Sequence, residues 1–533
     1  LIFALNFFVR IQSLSPIFEE LDPYYYMDIA QQVINFGYMP FNDGTSWYPM
    51  VVQHRAVPFK AYMEATWYSL YNGGTEYNNY MLSLIANIHP PFAAAFAAFF
   101  LYLGLRAWYK KEYALIASAV ASFIPIFIFK FMAGEAEVQP YGFFGLSIFL
   151  AFFLWAQKKQ DFKLMFFAGL GYMATSLGSS SELVAAVIFI IFTGLQALSM
   201  FLTKRDMEQF AKVNAVFVGM VLLTALLKSV FMAFPIITYA AVVASAVAFV
   251  WALFALQKYS KLDFEMQTYA LGGMVAVGIL LFAFTPLGTI FKGVAMSAPQ
   301  IAQYNAPLDR TIAEQGTSGS VFEPSLGFMG KLFDHGIWLA VSFIAYIPSA
   351  IANFVFSAFS SVLSAIFGVT LAFDAKENSI LMVLLFLSMC ASAYSLYRFF
   401  IKKEETPAWL FIALIFPIAL VGLIKAKYVI YLGFVVSASM AFILGELELL
   451  IAELLGRFKM ENAEELKKHV FTAFIIIGFA FAVFQFAGST DPSDGNSPIA
   501  IPLIKAGMGV RFQDNPLALQ PKFKDLCEQL KLK

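Results

Sequence analysis

The chain is 533 residues long, 60% hydrophobic and 13% charged, with a mean hydropathy of +0.72. That composition excludes a water-soluble globule with a polar exterior. Its 35 basic residues balance 35 acidic ones, so no bulk charge points to a nucleic-acid partner.

The apolar runs mostly extend for roughly 17 to 25 residues, the length a helix needs to cross a hydrocarbon core about 30 Å thick, whereas barrel strands alternate over about ten. The expected fold class is therefore an all-α polytopic membrane protein. Spans are predicted at 1–12, 81–108, 113–132, 139–157, 163–178, 183–203, 212–230, 233–256, 269–291, 380–401, 408–424, 428–455 and 470–487, about thirteen in number. A further apolar run, 336–372, is broken near its middle by Pro348 and Asn353 and reads as a re-entrant or interfacial hairpin, with a full transmembrane hairpin as the alternative.

Basic residues favour cytoplasmic loops, and every second loop carries a cluster of them. The clusters are Arg106 with Lys110 and Lys111, Lys158 with Lys159 and Lys163, and Lys204 with Arg205 and Lys212. They recur at Lys258 and Lys261, at Arg398, Lys402 and Lys403, and at Arg457, Lys459, Lys467 and Lys468. The expected localisation is a multi-pass cell-membrane protein whose other loops lie on the non-cytoplasmic face.

Those other loops hold the acids that ask for a role. Asp22 lies in Leu21-Asp22-Pro23-Tyr24-Tyr25-Tyr26, behind the first run. Glu135 and Glu137 flank Ala136 after the third, and Glu314 ends Thr311-Ile312-Ala313-Glu314 in the long loop after the ninth. A carboxylate beside a bilayer is costly to desolvate without a partner. Carboxylates from separate loops suit a hard divalent cation, Mn2+ or Mg2+, with positions left open for a substrate phosphate. Asp22, Glu135 and Glu137 are the candidate metal ligands; the alternative is three separate interfacial turn acids. Residues 135 and 137 would diverge on a regular helix, so both reach one centre only on an extended or helix-entry backbone.

The loop 13–80 is too long for a simple connector and is expected to carry function or fold back on the membrane surface. Arg55, Lys425 and Lys427 are basic residues that would hold a phosphate; each also reads as a snorkelling interfacial base. His54, His89, His335 and His469 have no zinc spacing, and the ordinary reading holds for each. Cys390 and Cys527 show no metal spacing. The chain begins with Leu1, and Leu1 to Val9 reads as the end of a spanning helix, so residues are expected to precede it. The expected division is a transmembrane catalytic domain, 1–487, and an external linker from 488 leading to the start of a soluble domain cut off at 533.

Together these residues resemble the catalytic subunit of oligosaccharyltransferase, most of all its archaeal type. Asp22-Pro23-Tyr24 and Trp47-Tyr48-Pro49 resemble the family's first external loop and its metal-binding aspartate. Glu135-Ala136-Glu137 stands where the second acidic pair is found, Thr311 to Glu314 matches the archaeal TIxE motif, and Lys427-Tyr428-Val429-Ile430-Tyr431 resembles the segment before a late span. The resemblance covers nearly the whole chain. It departs in having two glutamates in the second motif, in Lys427 where arginine is common, and in lacking the WWDYG motif, which relatives carry beyond the last span.

The resemblance implies an inverting, metal-dependent glycosyltransferase that moves a glycan from a polyprenyl (dolichyl) phosphate or pyrophosphate carrier onto Asn in an Asn-X-Ser/Thr acceptor polypeptide, as a single subunit in the lipid membrane. Amide resonance, with a rotation barrier of roughly 18 to 20 kcal/mol, makes Asn a poor nucleophile. Asp22 and Glu314 are assigned to orient the amide and weaken its conjugation. The metal held by Asp22, Glu135 and Glu137 would neutralise the departing phosphate, and Lys427 and Arg55, with Glu314, would contact substrate. The rivals are a lipid-sugar transferase acting on a hydroxyl or lipid, and a polytopic transporter, against which the acids' position in loops rather than mid-span argues.

Overall fold

The structure is a computed structural model that describes residues 2–11, 14, 22–40, 42–43, 52–53, 58–73, 76–122, 127, 130–179, 181–232, 237–260, 262–284, 379–424, 430–457, 469, 471–473 and 475–476. The hairpin at 336–372, the TIxE segment, most of 470–487 and everything from 488 onward lie outside the described residues.

Helices account for nearly all of it. In chain order they are α1 (Ile2–Ile11), α2 (Asp22–Phe36), α3 (Pro58–Asn72), α4 (Asn79–Leu105), α5 (Lys111–Ser122), α6 (Gln139–Lys159), α7 (Phe162–Ser179), α8 (Glu182–Leu202), α9 (Glu208–Met232), α10 (Ile237–Tyr259), α11 (Phe264–Phe284), α12 (Ser379–Phe400), α13 (Ala408–Ile424) and α14 (Leu432–Arg457). The exception among the described residues is a two-residue antiparallel pairing in the first loop, Asn42 with Gln53 and Asp43 with Val52. Among the described residues, six helices are long and apolar enough to cross a membrane by length and composition, and three shorter ones are apolar. Their lengths follow from the uninterrupted apolar runs, because a backbone in lipid must satisfy its own hydrogen bonds. Large apolar side chains on their outer faces, such as Leu202, Leu222, Leu223 and Leu226, are exposed on the bundle, as lipid-facing residues are.

One predicted span needs correction. Residues 113–132 were expected to form a single crossing, yet α5 ends at Ser122 and residues 130–134 are turn. The remaining apolar residues, Phe127, Phe131 and Met132, pack inward instead. The first loop also holds more order than a span count reveals. Helices α2 and α3 pack on each other through Ile29, Val33, Ala61 and Ala65, all buried.

The α6–α7 pair is the bundle's closest contact. A Cβ on Gly145 would lie 2.3 Å from the backbone nitrogen of Thr175, and one on Gly171 would lie 2.3 Å from that of Phe149. Only glycine permits backbones this close, as in other membrane helix pairs with small residues at the seam. The loops after α4, α6, α8 and α12 meet at one end of the bundle, where Trp108, Lys158, Arg205, Asp206 and Glu405 are among the residues lining a cavity of about 330 Å³. Four of the basic loops thus share an end, the arrangement that alternating crossings demand. Glu135 and Glu137 precede α6 and lie at its other end, roughly 30 Å away at 1.5 Å per residue.

Candidate functional site

The segment from Lys130 to Val138 is irregular and tightly held. Gly134 adopts φ +110°, a conformation side chains disfavour, and the turn it makes brings the Glu135 N–H to the Met132 carbonyl at 3.2 Å. The Ala133 N–H donates to the Arg10 carbonyl at 3.1 Å, tying the turn to the end of α1. Arg10 is itself buried and donates to the Ser122 carbonyl at the end of α5. Beyond the turn, residues 135–137 are non-helical and lead directly into α6. This is the helix-entry backbone that lets side chains two residues apart converge.

They converge on an ammonium. Lys130 Nζ lies 3.5 Å from Glu135 Oε2 and 3.4 Å from Glu137 Oε1. Both carboxylates are buried, their side chains 1% and 5% exposed, while the Lys130 side chain is 18% exposed.

The helix that begins at Asp22 adjoins this pair. Met27, in the second turn of α2, packs against Ala136 and against Ala86 of α4. The Asp22 backbone therefore starts a helix whose flank touches the residue between the two glutamates. Pro23 in its first turn suits a helix start, where the missing N–H has no intrahelical partner to lose. The side chain of Asp22, together with Arg55, Glu314, Lys425 and Lys427, lies outside the described residues.

A second buried network stands beside the first. Lys60 Nζ donates to Glu64 Oε1 at 2.5 Å, one turn along α3, and the Tyr141 hydroxyl donates to the same oxygen at 2.6 Å. The Lys60 ammonium sits 5.3 Å from the Tyr26 ring centroid and 5.2 Å from that of Tyr141. His89 of α4 stacks on Tyr141 with centroids 3.6 Å apart, and its Nε2 has no hydrogen-bond partner among the described residues. Burial holds the Lys60 pKa below the ordinary lysine value, against the opposing pull of Glu64 and, at longer range, Glu137. The network locks the first loop, through α2 and α3, onto α4 and α6 at the end where the acid pair lies.

Sequence reasoning missed Lys60, Glu64 and Lys130 and gave His89 no role. Lys130 was visible as a lone cation in Phe127-Ile128-Phe129-Lys130-Phe131, and Lys60 and Glu64 as an i,i+4 pair. Nothing in the spacing named their partners.

A divalent ion fits the acid pair by its chemistry: two buried carboxylates supply hard oxygen donors and already face one cation. Among the described residues no group of three or more potential ligands is gathered, so further donors must come from elsewhere in the chain or from substrate.

Fold and site together describe a polytopic helical membrane protein in which helices α2 and α3 are clamped beside a buried acid pair at one end of the bundle. Its fold is similar to that of archaeal oligosaccharyltransferase. The structure of AglB from Archaeoglobus fulgidus in complex with an inhibitory peptide and a dolichol-phosphate matches with a TM-score of 0.62 over 94% of this chain, at 14% identity. The apo form of the Archaeoglobus fulgidus oligosaccharyltransferase matches at 0.62 over 93%, also at 14% identity. The same enzyme tethered to an acceptor peptide containing the NVT sequon matches at 0.60 over 93%, at 16% identity. The chain spans 55% of the length of each of these structures. No family model and no curated protein matches the sequence.

Proposed function

We propose that the chain is the membrane part of a lipid-linked glycosyltransferase of the oligosaccharyltransferase type, which transfers a glycan from a polyprenyl phosphate or pyrophosphate carrier to Asn in Asn-X-Ser/Thr. The observation that carries this reading is the pairing of that shared fold with an acid pair buried beside the helix that begins at Asp22.

In this reading Asp22, Glu135 and Glu137 hold Mn2+ or Mg2+. When bound, the ion would supply Lewis-acid stabilisation of charge on the departing phosphate. The chain's own residues do the rest. Asp22 and Glu314 accept hydrogen bonds from the acceptor amide, orienting it for attack from the face opposite the phosphate and inverting the anomeric centre. Lys427 and Arg55 hold the phosphate, Lys427 as a point charge rather than a bidentate fork. The Lys60–Glu64–Tyr141 network keeps the first loop docked so that Asp22 stays at the site. The site faces the non-cytoplasmic side, and one subunit suffices.

The test is transfer from a lipid-linked oligosaccharide to a fluorescent Asn-X-Thr peptide, read by gel shift with the purified chain. Asp22→Asn and Glu314→Gln are expected to abolish transfer while leaving the protein folded. Normal turnover in either variant removes that residue from the mechanism. Consumption of the lipid donor with glycan appearing on a hydroxyl or lipid acceptor instead would assign the chain to a different lipid-sugar transferase.

A further inference from the structure

We propose that Lys130 is a built-in competitor for the divalent ion: its ammonium holds the Glu135–Glu137 pair in the metal-free protein and must withdraw before metal binds. This rests on the metal-binding reading of the acid pair given above.

Three observations carry it. First, one ammonium faces both carboxylates at almost equal distance, 3.5 and 3.4 Å, so it occupies the position between them that a bridging cation would take. Second, those distances are long. Charge-assisted N–H···O bonds run at about 2.7 to 2.9 Å, and Lys60–Glu64 and Lys110–Glu448 in this protein are both at 2.5 Å. Neither glutamate holds the Lys130 ammonium as closely as those pairs are held. Third, mobility is asymmetric. The carboxylates are 1% and 5% exposed on a segment fixed by Gly134, Arg10 and Ala136, whereas Lys130 is 18% exposed on a four-carbon stem. The cation can leave; the anions cannot.

The charge count favours exchange. A divalent ion brings two carboxylates one more positive charge than an ammonium does. Holding two buried carboxylates together without any cation would be costly, so Lys130 keeps the ligands gathered in the free protein. The same contact opposes metal binding, because each binding event must break it. Metal affinity in this chain is therefore set below what its carboxylates alone would give.

The test is Mn2+ affinity of the full chain in detergent, measured by electron paramagnetic resonance of free Mn2+ after chelator treatment, with Mn2+-induced thermal shift as a second readout. Lys130→Met is expected to tighten Mn2+ binding by about tenfold or more, a change of about 1.4 kcal/mol. It should melt lower than wild type without metal and gain more from added Mn2+. Lys130→Gln, which keeps a donor amide, should shift affinity in the same direction, and Lys130→Arg, which keeps the charge, should stay within about threefold of wild type. Glu135→Gln should weaken binding. A Lys130 residue that merely braced the fold, or helped hold the metal's anionic ligand, would give equal or weaker Mn2+ binding in folded Lys130→Met and Lys130→Gln, and that result overturns the inference while leaving the metal site standing. Mn2+ binding that is absent from wild type, or unchanged by Glu135→Gln, overturns both.

Discussion

Lys60→Met isolates what docks the first loop. The Lys60 and Glu64 side chains are 1% and 2% exposed, so solvent screens neither charge. Removing the ammonium leaves the Glu64 carboxylate buried with the Tyr141 hydroxyl as its one remaining donor among the contacts described. Breaking a buried pair from one side costs about 3 to 5 kcal/mol, mostly the penalty of the stranded charge. At about 1.4 kcal/mol per factor of ten, the lower figure makes opening of the α2–α3 hairpin about a hundredfold more frequent. Amide hydrogen exchange in detergent reads this directly, since opening of one docked unit need not unfold the bundle. Exchange across 58–72 and 22–36 should accelerate by about that factor, with α7 and α9 unchanged. Lys60→Met/Glu64→Gln removes the stranded charge, keeps an acceptor for Tyr141, and should recover most of the protection. Exchange in Lys60→Met within about threefold of wild type, or no recovery in the double variant, would refute the view that this pair docks the loop.

Other consequences are open to direct measurement. Gly171→Ala drives a methyl group to within 2.3 Å of the Phe149 backbone and should destabilise the α6–α7 seam by about 1 to 3 kcal/mol or more, seen as a lowered melting temperature. Gly219→Ala, with nothing within 4 Å, is its control and should melt like wild type. Lys228→Met strands Glu182 in the buried pair that joins α9 to α8, at a cost of about 3 to 5 kcal/mol that Lys228→Met/Glu182→Gln should largely restore; a single variant as stable as wild type would assign that pair no structural weight.

The sequence by itself determined the helices. Spans such as 139–157, 183–203 and 408–424 appear as α6, α8 and α13 within a few residues, because a backbone in hydrocarbon must close its own hydrogen bonds and an unbroken apolar run leaves it no other form. Alternation of basic loops likewise foretold that the segments near Arg106, Lys158 and Arg205 share one end. It also singled out Glu135 and Glu137, since carboxylates are conspicuous in a chain this apolar. Where hydropathy is blind, the tertiary structure decided. Hydropathy reads on through 132, whereas the turn at 130–134 and the burial of Phe127 and Phe131 belong to the packed fold. Lys130 and Lys60 drew no reading from the sequence, and it is the fold that puts buried acids against them. A charge's partner is set by distance in space, and hydropathy and periodicity report only neighbours along the chain.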